Sequence, residues 1–520
     1  MADKKASHWF LLALSLAGTL LVAIATWRYG AGVSADAVKY LATAAHLLAG
    51  DGFIDHTGHP LIWWPPLYPL ILAALSKLTA ADVFLVAWYL NLLLMPVNTF
   101  LAGLLLERAF GENSVYAWLG TAFVAFSESA VRLHANVNSD VLYVTFSLLF
   151  LLIASHYMRE KSSKALTAMT VLAALAMLLR WQGAGLLAMG GVVILAARWR
   201  EWRALLRDGL WMALSLLPVA AWVYFHNILR YNTFWGTNET LFDPWLNLEL
   251  SLAKMLHWFL PYHPRLRPLF EHPVVLVVGI GAVLALLARR PDWSRWWRAL
   301  WRPEVFPVAF FLPLSLLGII FTMATGDHLD LFTDRYYVGF LAPVMVWLFI
   351  TLDALILPRL KWREATVRNV LIGAFVLWLA VYPGVSMAEY LSTSLREGEA
   401  SHYNYYNNHT FRENPALPVI QRLLQEKPEA TVYSNYADAV WFLLRRDSPL
   451  MPRSATMDVE ELRVHYAGWP GEEGGYIFWF LPNEYKHVVP PNVLAEIADV
   501  ELLFRSEEGE VYAVRAADGR

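Results

Sequence analysis

The sequence predicts an all-α polytopic membrane domain followed by a small C-terminal α/β domain. Of the 520 residues, 57% are hydrophobic and 16% are charged, whereas soluble domains carry about 25% charged residues. The apolar residues are concentrated in long runs, which is typical of membrane proteins. After Pro383 these runs give way to alternating polar and apolar segments. We therefore predict a membrane domain over 1–384 and an α/β domain over 385–520.

Eleven apolar runs are candidates for transmembrane helices. At 1.5 Å per residue, a helix needs about 20 residues to cross a hydrocarbon core of about 30 Å. The first run follows Lys4 and Lys5 but is long for a signal peptide and has no convincing cleavage site, so we interpret it as a retained helix. Tryptophans near the run ends, such as Trp27 and Trp202, fit an interfacial belt. The predicted spans are 9–27, 82–106, 114–128, 139–157, 165–179, 183–198, 208–229, 273–289, 304–324, 336–357 and 366–384.

The distribution of basic residues predicts the orientation. A twelfth apolar segment, 66–78, could also cross. If it does not, and if the N-terminus is cytoplasmic, most basic clusters fall in cytoplasmic connections, as the positive-inside rule requires. We therefore predict eleven spans, a cytoplasmic N-terminus and an extracytoplasmic C-terminal domain. The clusters are Arg159/Lys161/Lys164, Arg198/Arg200/Arg203/Arg207, Arg290/Arg295/Arg298/Arg302 and Arg359/Lys361/Arg363.

The largest predicted outer loops are 28–81 and 230–272. In the first loop, the stretch 36–49 places its aliphatic residues on one helical face, which predicts an amphipathic helix lying on the membrane surface. The Pro-Pro pair at 65–66 then starts a short helix that enters the outer leaflet without crossing it.

The C-terminal region alternates predicted strands and helices, which is typical of a small α/β domain. Strands are predicted at 430–435, at 474–482 and at the LLF and VYAV segments near the end, and helices at 414–426, 436–446 and 457–466. The chain has no cysteine, which excludes disulfides, thiolate metal sites and cysteine nucleophiles. A net charge of −3 does not indicate a nucleic-acid partner, and the GEEGG segment is interpreted as a turn.

Acidic residues where the outer loops meet the apolar core are candidate catalytic groups. Asp36 begins the surface helix, and Asp140 begins the span 139–157. The predicted topology places both on the outer side at the same depth, where one could deprotonate an acceptor hydroxyl. Both could instead be helix N-caps, a role that Asp fills well.

Cations on the outer side could offset the charge of a lipid phosphate, which suits the geometry of arginine. Lys39 lies three residues after Asp36 on nearly the same helical face, and Arg335 is the strongest single candidate because two tyrosines follow it. Any of these cations could instead be an anchor at a helix end. His56 and His59 could share a metal, but nothing else supports one, so we predict no metal site. The candidate phosphate-binding residues are Lys39, Tyr40, His59, Arg132, His134, Arg180, Arg335 and Tyr336.

Several segments resemble the GT-C membrane glycosyltransferases, in particular the branch of the bacterial protein O-mannosyltransferases and the lipid A aminoarabinose transferase. SADAVKYLATAAHLLAGDGF, followed by HPLIWWPPLYPLILAAL, is similar to the first outer loop of that family, with its early acid, surface helix and Pro-Pro-Leu-Tyr-Pro helix. The resemblance continues through NSDVLYVTFSLLFLL, LLRWQGAG and DRYYVGFLAPVMV and covers roughly 9–384. Each motif is loose, but their order and spacing are fairly specific.

The resemblance implies a glycosyltransferase whose donor is a sugar on a polyprenyl phosphate such as undecaprenyl phosphate. Asp36 matches the catalytic acid of the family and Asp140 its second acid. Lys39 matches a residue that contacts the carrier phosphate, and Arg335 resembles a late basic position. The implied transfer goes to an acceptor hydroxyl, with inversion, on the extracytoplasmic face of a bacterial inner membrane. No Asp-x-Asp motif stands in either loop, so we expect no metal and no cofactor.

Two positions depart from the family pattern, and two other functions stay open. Ala37 stands where the family often has Glu, and Trp64 stands where a Lys or His often precedes the Pro-Pro pair. The chain could be a transporter or flippase, although such proteins usually show inverted repeats and ionisable groups at mid-bilayer. Alternatively, the C-terminal domain could recruit a partner, with the membrane part as a scaffold.

Overall fold

The computed structural model divides into two compact units, each built from several parts of the chain. Unit 1 comprises 1–25, 62–68 and 89–392, and unit 2 comprises 26–61, 69–88 and 393–520. Unit 2 therefore joins most of the first predicted outer loop to the C-terminal α/β region. The predicted domain boundary at 384/385 stays a prediction. The structure describes residues 2–233, 244–260, 271, 273–277, 279, 292–322, 334–357, 364–398, 405–453, 458–481 and 487–517.

Helices make up most of the described chain, and short 3₁₀ and π segments connect several of them. The π segments Val223–Ile228 and Leu352–Ile356 continue helices, and the 3₁₀ segments are Trp181–Gly183, Asp334–Tyr336 and Val338–Phe340. The α-helices are α1 (Ala2–Ala25), α2 (Ala35–Ala49), α3 (Leu67–Thr79), α4 (Val83–Phe110), α5 (Val115–Phe126), α6 (Glu128–His134), α7 (Asp140–Glu160), α8 (Ser163–Leu179), α9 (Ala184–Arg198), α10 (Trp202–Ala213), α11 (Leu216–Trp222), α12 (Leu229–Tyr231), α13 (Pro244–His257), α14 (Trp293–Leu300), α15 (Phe306–Thr322), α16 (Leu341–Thr351), α17 (Glu364–Val381), α18 (Pro383–Glu397), α19 (His409–Arg412), α20 (Leu417–Glu426), α21 (Ala437–Leu444), α22 (Val459–His465) and α23 (Pro491–Leu494).

Seven helical stretches in the described part of the chain are long and apolar enough to cross a membrane. Three more predicted spans coincide with the shorter apolar helices α5, α8 and α15. The eleventh, 273–289, lies largely outside the described residues. The short helix predicted after the Pro-Pro pair is present as α3. The seven are His8–Ala25, Val83–Phe110, Asp140–Glu160, Trp181–Arg198, Trp202–Tyr231, Val338–Ile356 and Ala365–Glu397.

Buried amides tie the helices of unit 1 together and fix where α7 begins. The side chain of Asn98 on α4 accepts a hydrogen bond from Thr145 at 2.6 Å and donates to the Val141 carbonyl at 3.1 Å. Asn91, about two turns before Asn98 on α4, donates to the Asn136 carbonyl at 2.6 Å. Because an apolar environment offers no water, polar groups there must find their hydrogen-bond partners within the protein. These bonds hold the first turn of α7 and the loop before it against α4.

Unit 2 contains a four-stranded mixed sheet in the order β1-β2-β4-β3. β1 pairs in parallel with β2, whereas β4 runs antiparallel to both β2 and β3. All four predicted strands and the three predicted C-terminal helices are confirmed. The strands are β1 (Thr431–Ser434), β2 (Gly475–Phe480), β3 (Ala498–Arg505) and β4 (Gly509–Ala516). A buried cluster on the sheet includes Tyr433, Ile477, Trp479, Tyr512 and Val514.

The predicted surface helix is present as α2, but its burial differs from the prediction. Its N-terminal half is buried nearly all round, from Ala37 to Ala44 with only Lys39 half-buried, whereas Leu48 near its end is 42% exposed. The helix packs against α21, which belongs to the same unit. A single apolar stripe therefore does not describe this helix, because its first turns are enclosed by protein on more than one side.

Candidate active site

Asp140 is the first residue of α7 and has no exposed surface. The loop before it is shaped by Asn138, whose side chain accepts from the Val141 amide at 3.2 Å and donates to the Leu133 carbonyl at 3.0 Å. The N-cap position is occupied by Ser139. The alternative interpretation of Asp140 as an N-cap is therefore wrong, and another reason is needed for a fully buried carboxylate.

Arg180 supplies that reason, because it forms an ion pair with Asp140. Its Nη1 donates to Oδ2 of Asp140 at 2.6 Å and to the Ser139 hydroxyl at 3.2 Å. The carboxylate side chain is 1% exposed and the arginine side chain 14% exposed. A buried pair of this kind is costly to break, since removing one partner leaves an uncompensated charge. Asp140 therefore holds the Arg180 guanidinium in one place.

The backbone turn that carries Arg180 depends on a glycine. Arg180 ends α8 in an extended conformation, and its carbonyl accepts from the Gly183 amide at 2.8 Å. A Cβ at position 183 would lie 2.3 Å from the backbone carbon of Ala176, so no larger residue fits without a backbone shift. The LLRWQGAG motif therefore sets the close approach between the end of α8 and the start of α9.

Tyr336 joins a second arginine to this pair. The Arg335 guanidinium lies 4.8 Å from the centroid of the Tyr336 ring and donates to its hydroxyl at 2.7 Å, while the Arg180 guanidinium lies 5.7 Å from the same centroid. We call Asp140, Arg180, Arg335 and Tyr336 the arginine cluster. Its side chains carry two positive charges and one negative charge, a net charge of plus one at neutral pH. Such a cluster can bind an anion with charge-assisted hydrogen bonds.

Arg132 has different partners within unit 1. It donates to Glu128, one turn earlier on α6, at 2.6 Å and lies 4.1 Å from the centroid of the Tyr390 ring. The Glu128 carboxylate also accepts a hydrogen bond from the Ser386 hydroxyl. Arg132 therefore bridges α6 and α18, and its predicted contact with a lipid phosphate stays a prediction that these partners do not favour.

His134 is buried between helices as a neutral imidazole. Its Nδ1 donates to the Ala130 carbonyl at 2.7 Å, and its Nε2 accepts from the Asn98 amide at 3.0 Å; this pattern of one donor and one acceptor fits only the neutral ring. Burial lowers the pKa of His134 from 6.5 to about 4. At neutral pH it adds no positive charge, so its predicted role in phosphate binding is not supported by its surroundings.

The remaining candidates lie in unit 2, with Asp36 and Lys39 on α2. Ser34 is the N-cap and accepts from the Ala37 amide at 3.3 Å, so the N-cap interpretation of Asp36 is also wrong. Asp36 and Lys39 are both half-buried, and Tyr40 is 3% exposed. A carboxylate in the first turn lies at the positive end of the helix dipole, which stabilises negative charge there.

His56 and His59 bond to different partners. The exposed ring of His59 lies 2.8 Å from the Thr57 hydroxyl within its own turn, whereas buried His56 lies 3.1 Å from the carboxylate of Asp438. Elsewhere in the described ranges there is likewise no group of three His, Cys, Asp or Glu placed to hold a metal. The two histidines therefore do not form a shared site.

Hydrogen bonds that the sequence did not predict connect the segment before the Pro-Pro pair with the Arg180 turn and with Asn227. The Trp181 indole donates to the Trp63 carbonyl at 2.8 Å, and Asn227 donates to the neighbouring Ile62 carbonyl at 3.3 Å. These contacts place the WWPP segment beside the turn that carries Arg180. The only sequence signal was that both segments belong to motifs of the same resemblance.

The apolar helices indicate an integral membrane protein, and its fold is similar to that of solved GT-C proteins. No protein-family model and no curated protein matches the chain, but solved structures do. ArnT from Cupriavidus metallidurans in the apo state is 14% identical, with 98% of each chain covered and a TM-score of 0.59. The same ArnT bound to undecaprenyl phosphate is 14% identical, with 97% of each chain covered and a TM-score of 0.58. An Archaeoglobus fulgidus oligosaccharyltransferase is 11% identical, with 91% of this chain and 68% of that chain covered and a TM-score of 0.52. The predicted resemblance is confirmed as a likeness of fold.

Proposed function

We propose that this protein is a membrane glycosyltransferase that takes a sugar from a polyprenyl-phosphate donor. The observation that carries the proposal is the arginine cluster, an anion site built at helix ends in a chain whose fold matches ArnT bound to undecaprenyl phosphate. The acceptor is a hydroxyl group, and the reaction takes place on the extracytoplasmic face of a bacterial inner membrane.

Arg180 and Arg335 bind the carrier phosphate in this proposal. When the bond between the anomeric carbon and the phosphate oxygen breaks, its electrons go to the phosphate, and the two guanidinium groups stabilise the added negative charge. Asp140 acts as a positioning residue, because its carboxylate is committed to Arg180 at 2.6 Å. The guanidinium groups supply the required positive charge, so the proposal includes no metal and no cofactor.

Asp36 is the general base in this proposal. It accepts the proton of the acceptor hydroxyl while that oxygen attacks the anomeric carbon on the face opposite the phosphate, so the configuration inverts. The half-buried carboxylate at the start of α2 remains accessible to an acceptor, unlike fully buried Asp140. The predicted phosphate contacts of Lys39 and Tyr40, which follow Asp36 on α2, stay a prediction and form no part of the donor site proposed here.

The test is transfer of radiolabel from a polyprenyl-phosphate sugar by the full-length protein in detergent. Asp36→Asn should reduce transfer at least about 100-fold, the usual contribution of a general base, while gel filtration and thermal stability stay unchanged. The matched control is Asp499→Asn, at an exposed acid on β3, which should keep full activity. A fully active Asp36→Asn variant would refute the base assignment.

The same protein in proteoliposomes distinguishes an enzyme from a flippase. An enzyme releases polyprenyl phosphate and leaves labelled sugar on an acceptor, whereas a flippase moves the intact donor to the other leaflet without breaking the sugar–phosphate bond. Movement of uncleaved donor, with no released carrier phosphate, would overturn the proposed function.

A further inference from the structure

A C-terminal segment of unit 2 pairs with the chain that leads into α2. The Tyr406 amide donates to the Val33 carbonyl at 2.7 Å, and Ser34 faces Tyr405 in an antiparallel bridge. Ser34 is also the N-cap of α2. Helix α2 carries the proposed base. Main-chain hydrogen bonds therefore hold the start of this helix against a segment more than 370 residues away in sequence.

Asn407 strengthens this pairing through its side chain. Its Nδ2 donates to the carbonyls of Tyr29 and Ala31, each at 2.7 Å, and its Oδ1 accepts from Arg412 at 2.8 Å. The residue has no exposed surface. Both protons of the amide are thus used on two backbone carbonyls, and only an amide offers two donors and one acceptor in this arrangement.

The close approach of the two segments also depends on Gly398. Its φ is +88°, a conformation that L-residues rarely adopt, and a Cβ there would lie 2.5 Å from Cδ2 of Tyr29. A larger residue would push the C-terminal segment away from the chain that enters α2. Both the backbone conformation and the space therefore require glycine.

The other end of α2 is held by the same C-terminal region. The His46 ring, in the last turn of α2, lies 3.0 Å from Asp51 and 3.3 Å from Asp447. The Ser448 amide then donates to the His56 carbonyl at 3.1 Å. Residues after position 404 therefore contact both the N-terminal and the C-terminal end of helix α2.

We propose that Asn407 is a positioning residue for the transfer reaction and that the C-terminal α/β domain fixes α2, the helix that carries the proposed base. This inference rests on the proposed role of Asp36. Asn407 anchors the backbone at Ala31, five residues before Asp36, and so sets where the first turn of α2 places that carboxylate. A base displaced by about 1 Å can lose about 100-fold in rate, so loss of the anchor reduces turnover rather than donor binding.

The experiment compares Asn407→Ala with Asn414→Ala in the full-length protein. Asn414 is an equally suitable buried amide, 2% exposed, but its bonds to the Glu508 carbonyl at 2.9 Å and the Ala416 amide at 3.0 Å stay within the C-terminal part of the chain. Hydrogen exchange over residues 29–40, the donor kcat and the donor KM are measured for both variants and for the wild type.

Asn407→Ala should increase exchange at 29–40 at least about tenfold and lower kcat by about ten- to 100-fold, with donor KM within twofold of the wild type. Asn414→Ala should leave exchange at 29–40 unchanged. Asn407→Asp, which keeps the shape but directs an oxygen at the two carbonyls, should increase exchange at least as much as Asn407→Ala. If Asn407→Ala cannot be purified, Asn407→Ser, which keeps one donor, should show a smaller increase in the same peptide.

Unchanged exchange at 29–40 in Asn407→Ala would overturn the inference, and so would equal effects of Asn407→Ala and Asn414→Ala on that peptide. The exchange measurement does not require turnover. An inactive wild type with the expected exchange pattern would therefore refute the proposed function while leaving the anchoring of α2 intact, and an active wild type with the wrong pattern would refute only the anchoring.

Discussion

Replacing Arg180 by methionine should destabilise the protein more than replacing both members of its ion pair. Asp140 is fully buried, and the Arg180 side chain is only 14% exposed, so water screens this pair weakly. Removing one partner of a buried pair costs about 3–5 kcal/mol. The lower end of that range applies here, because the stranded carboxylate can take up a proton.

The double variant Asp140→Asn/Arg180→Met removes both charges and leaves a neutral amide at position 140. It should cost about 1–2 kcal/mol, the penalty of an incompletely bonded polar group, which is about 1–2 kcal/mol less than the cost of Arg180→Met alone. Both variants lose the packing of the arginine side chain, so the difference between them measures the cost of leaving the buried Asp140 carboxylate without its partner.

The assay is thermal unfolding in detergent at pH 7.5, followed by the fluorescence of the 24 tryptophans. Arg180→Met should lower the midpoint by about 3 °C, since an unfolding entropy of about 2.1 cal/mol/K per residue over 520 residues makes 1 kcal/mol correspond to about 1 °C, and the double variant should recover about half of that loss. Arg200→Met, at an exposed arginine next to Trp199, is the control and should change little. Equal midpoints for the single and double variants would refute the reasoning.

Three further predictions concern the same unit. Arg335→Gln should weaken binding of undecaprenyl phosphate by about tenfold, the value of one charge-assisted hydrogen bond, as measured by a tritiated-carrier binding assay; unchanged affinity would exclude Arg335 from the phosphate site. Gly183→Ala should lower both the unfolding midpoint and transfer, whereas a Cβ at Gly191, on the following helix α9, meets no atom within 4 Å, so Gly191→Ala should be neutral. The pKa of His134 is about 4 in the folded protein and 6.5 in the unfolded chain. As the pH falls, His134 therefore takes up a proton in the unfolded chain at a higher pH than in the folded protein. The contribution of His134 to the free energy of unfolding should be fully present above pH 6.5 and should fall by about 3 kcal/mol towards pH 4. The unfolding midpoint of His134→Gln should therefore fall less between pH 6.5 and pH 4 than that of the wild type. An equal fall in both proteins would show that His134 is not the group responsible.

The sequence predicted elements far better than it predicted contacts. Ten predicted spans coincide with described apolar helices, seven of them long enough to cross a membrane, and alternating segments predicted all four strands, because burial in lipid and burial in a sheet impose different periods on the chain. The ion pair of Asp140 and Arg180 joins residues 40 positions apart. Only the packing of α7 against α8 brings them together, and no local pattern encodes it.

Two features of the other candidate residues follow from local sequence patterns. The ion pair of Arg132 with Glu128 follows the i,i+4 spacing of a helix, so it was visible in the sequence. Ser34, two residues before Asp36, was a recognisable N-cap. The neutral state of His134 was not predictable, because it depends on Asn98 on another helix.

The assembly of unit 2 could not be inferred at all. Its parts at 26–61 and 393–520 are separated by the whole set of predicted spans from 82 onwards. The anchoring amide of Asn407 lies in an ordinary polar segment, YNYYNNHT, where composition predicts only a loop. Contacts between such distant segments follow from the folded chain alone, so the role proposed for the C-terminal domain could not be inferred from the sequence.

A structure of the full-length protein with undecaprenyl phosphate would be the sharpest test of lipid-phosphate recognition. We predict that the phosphate oxygens lie within hydrogen-bond distance of both Arg180 and Arg335, with the ion pair to Asp140 intact. A phosphate bound instead among the arginines at the predicted cytoplasmic ends, such as Arg198 and Arg207, would contradict the donor site and the orientation together.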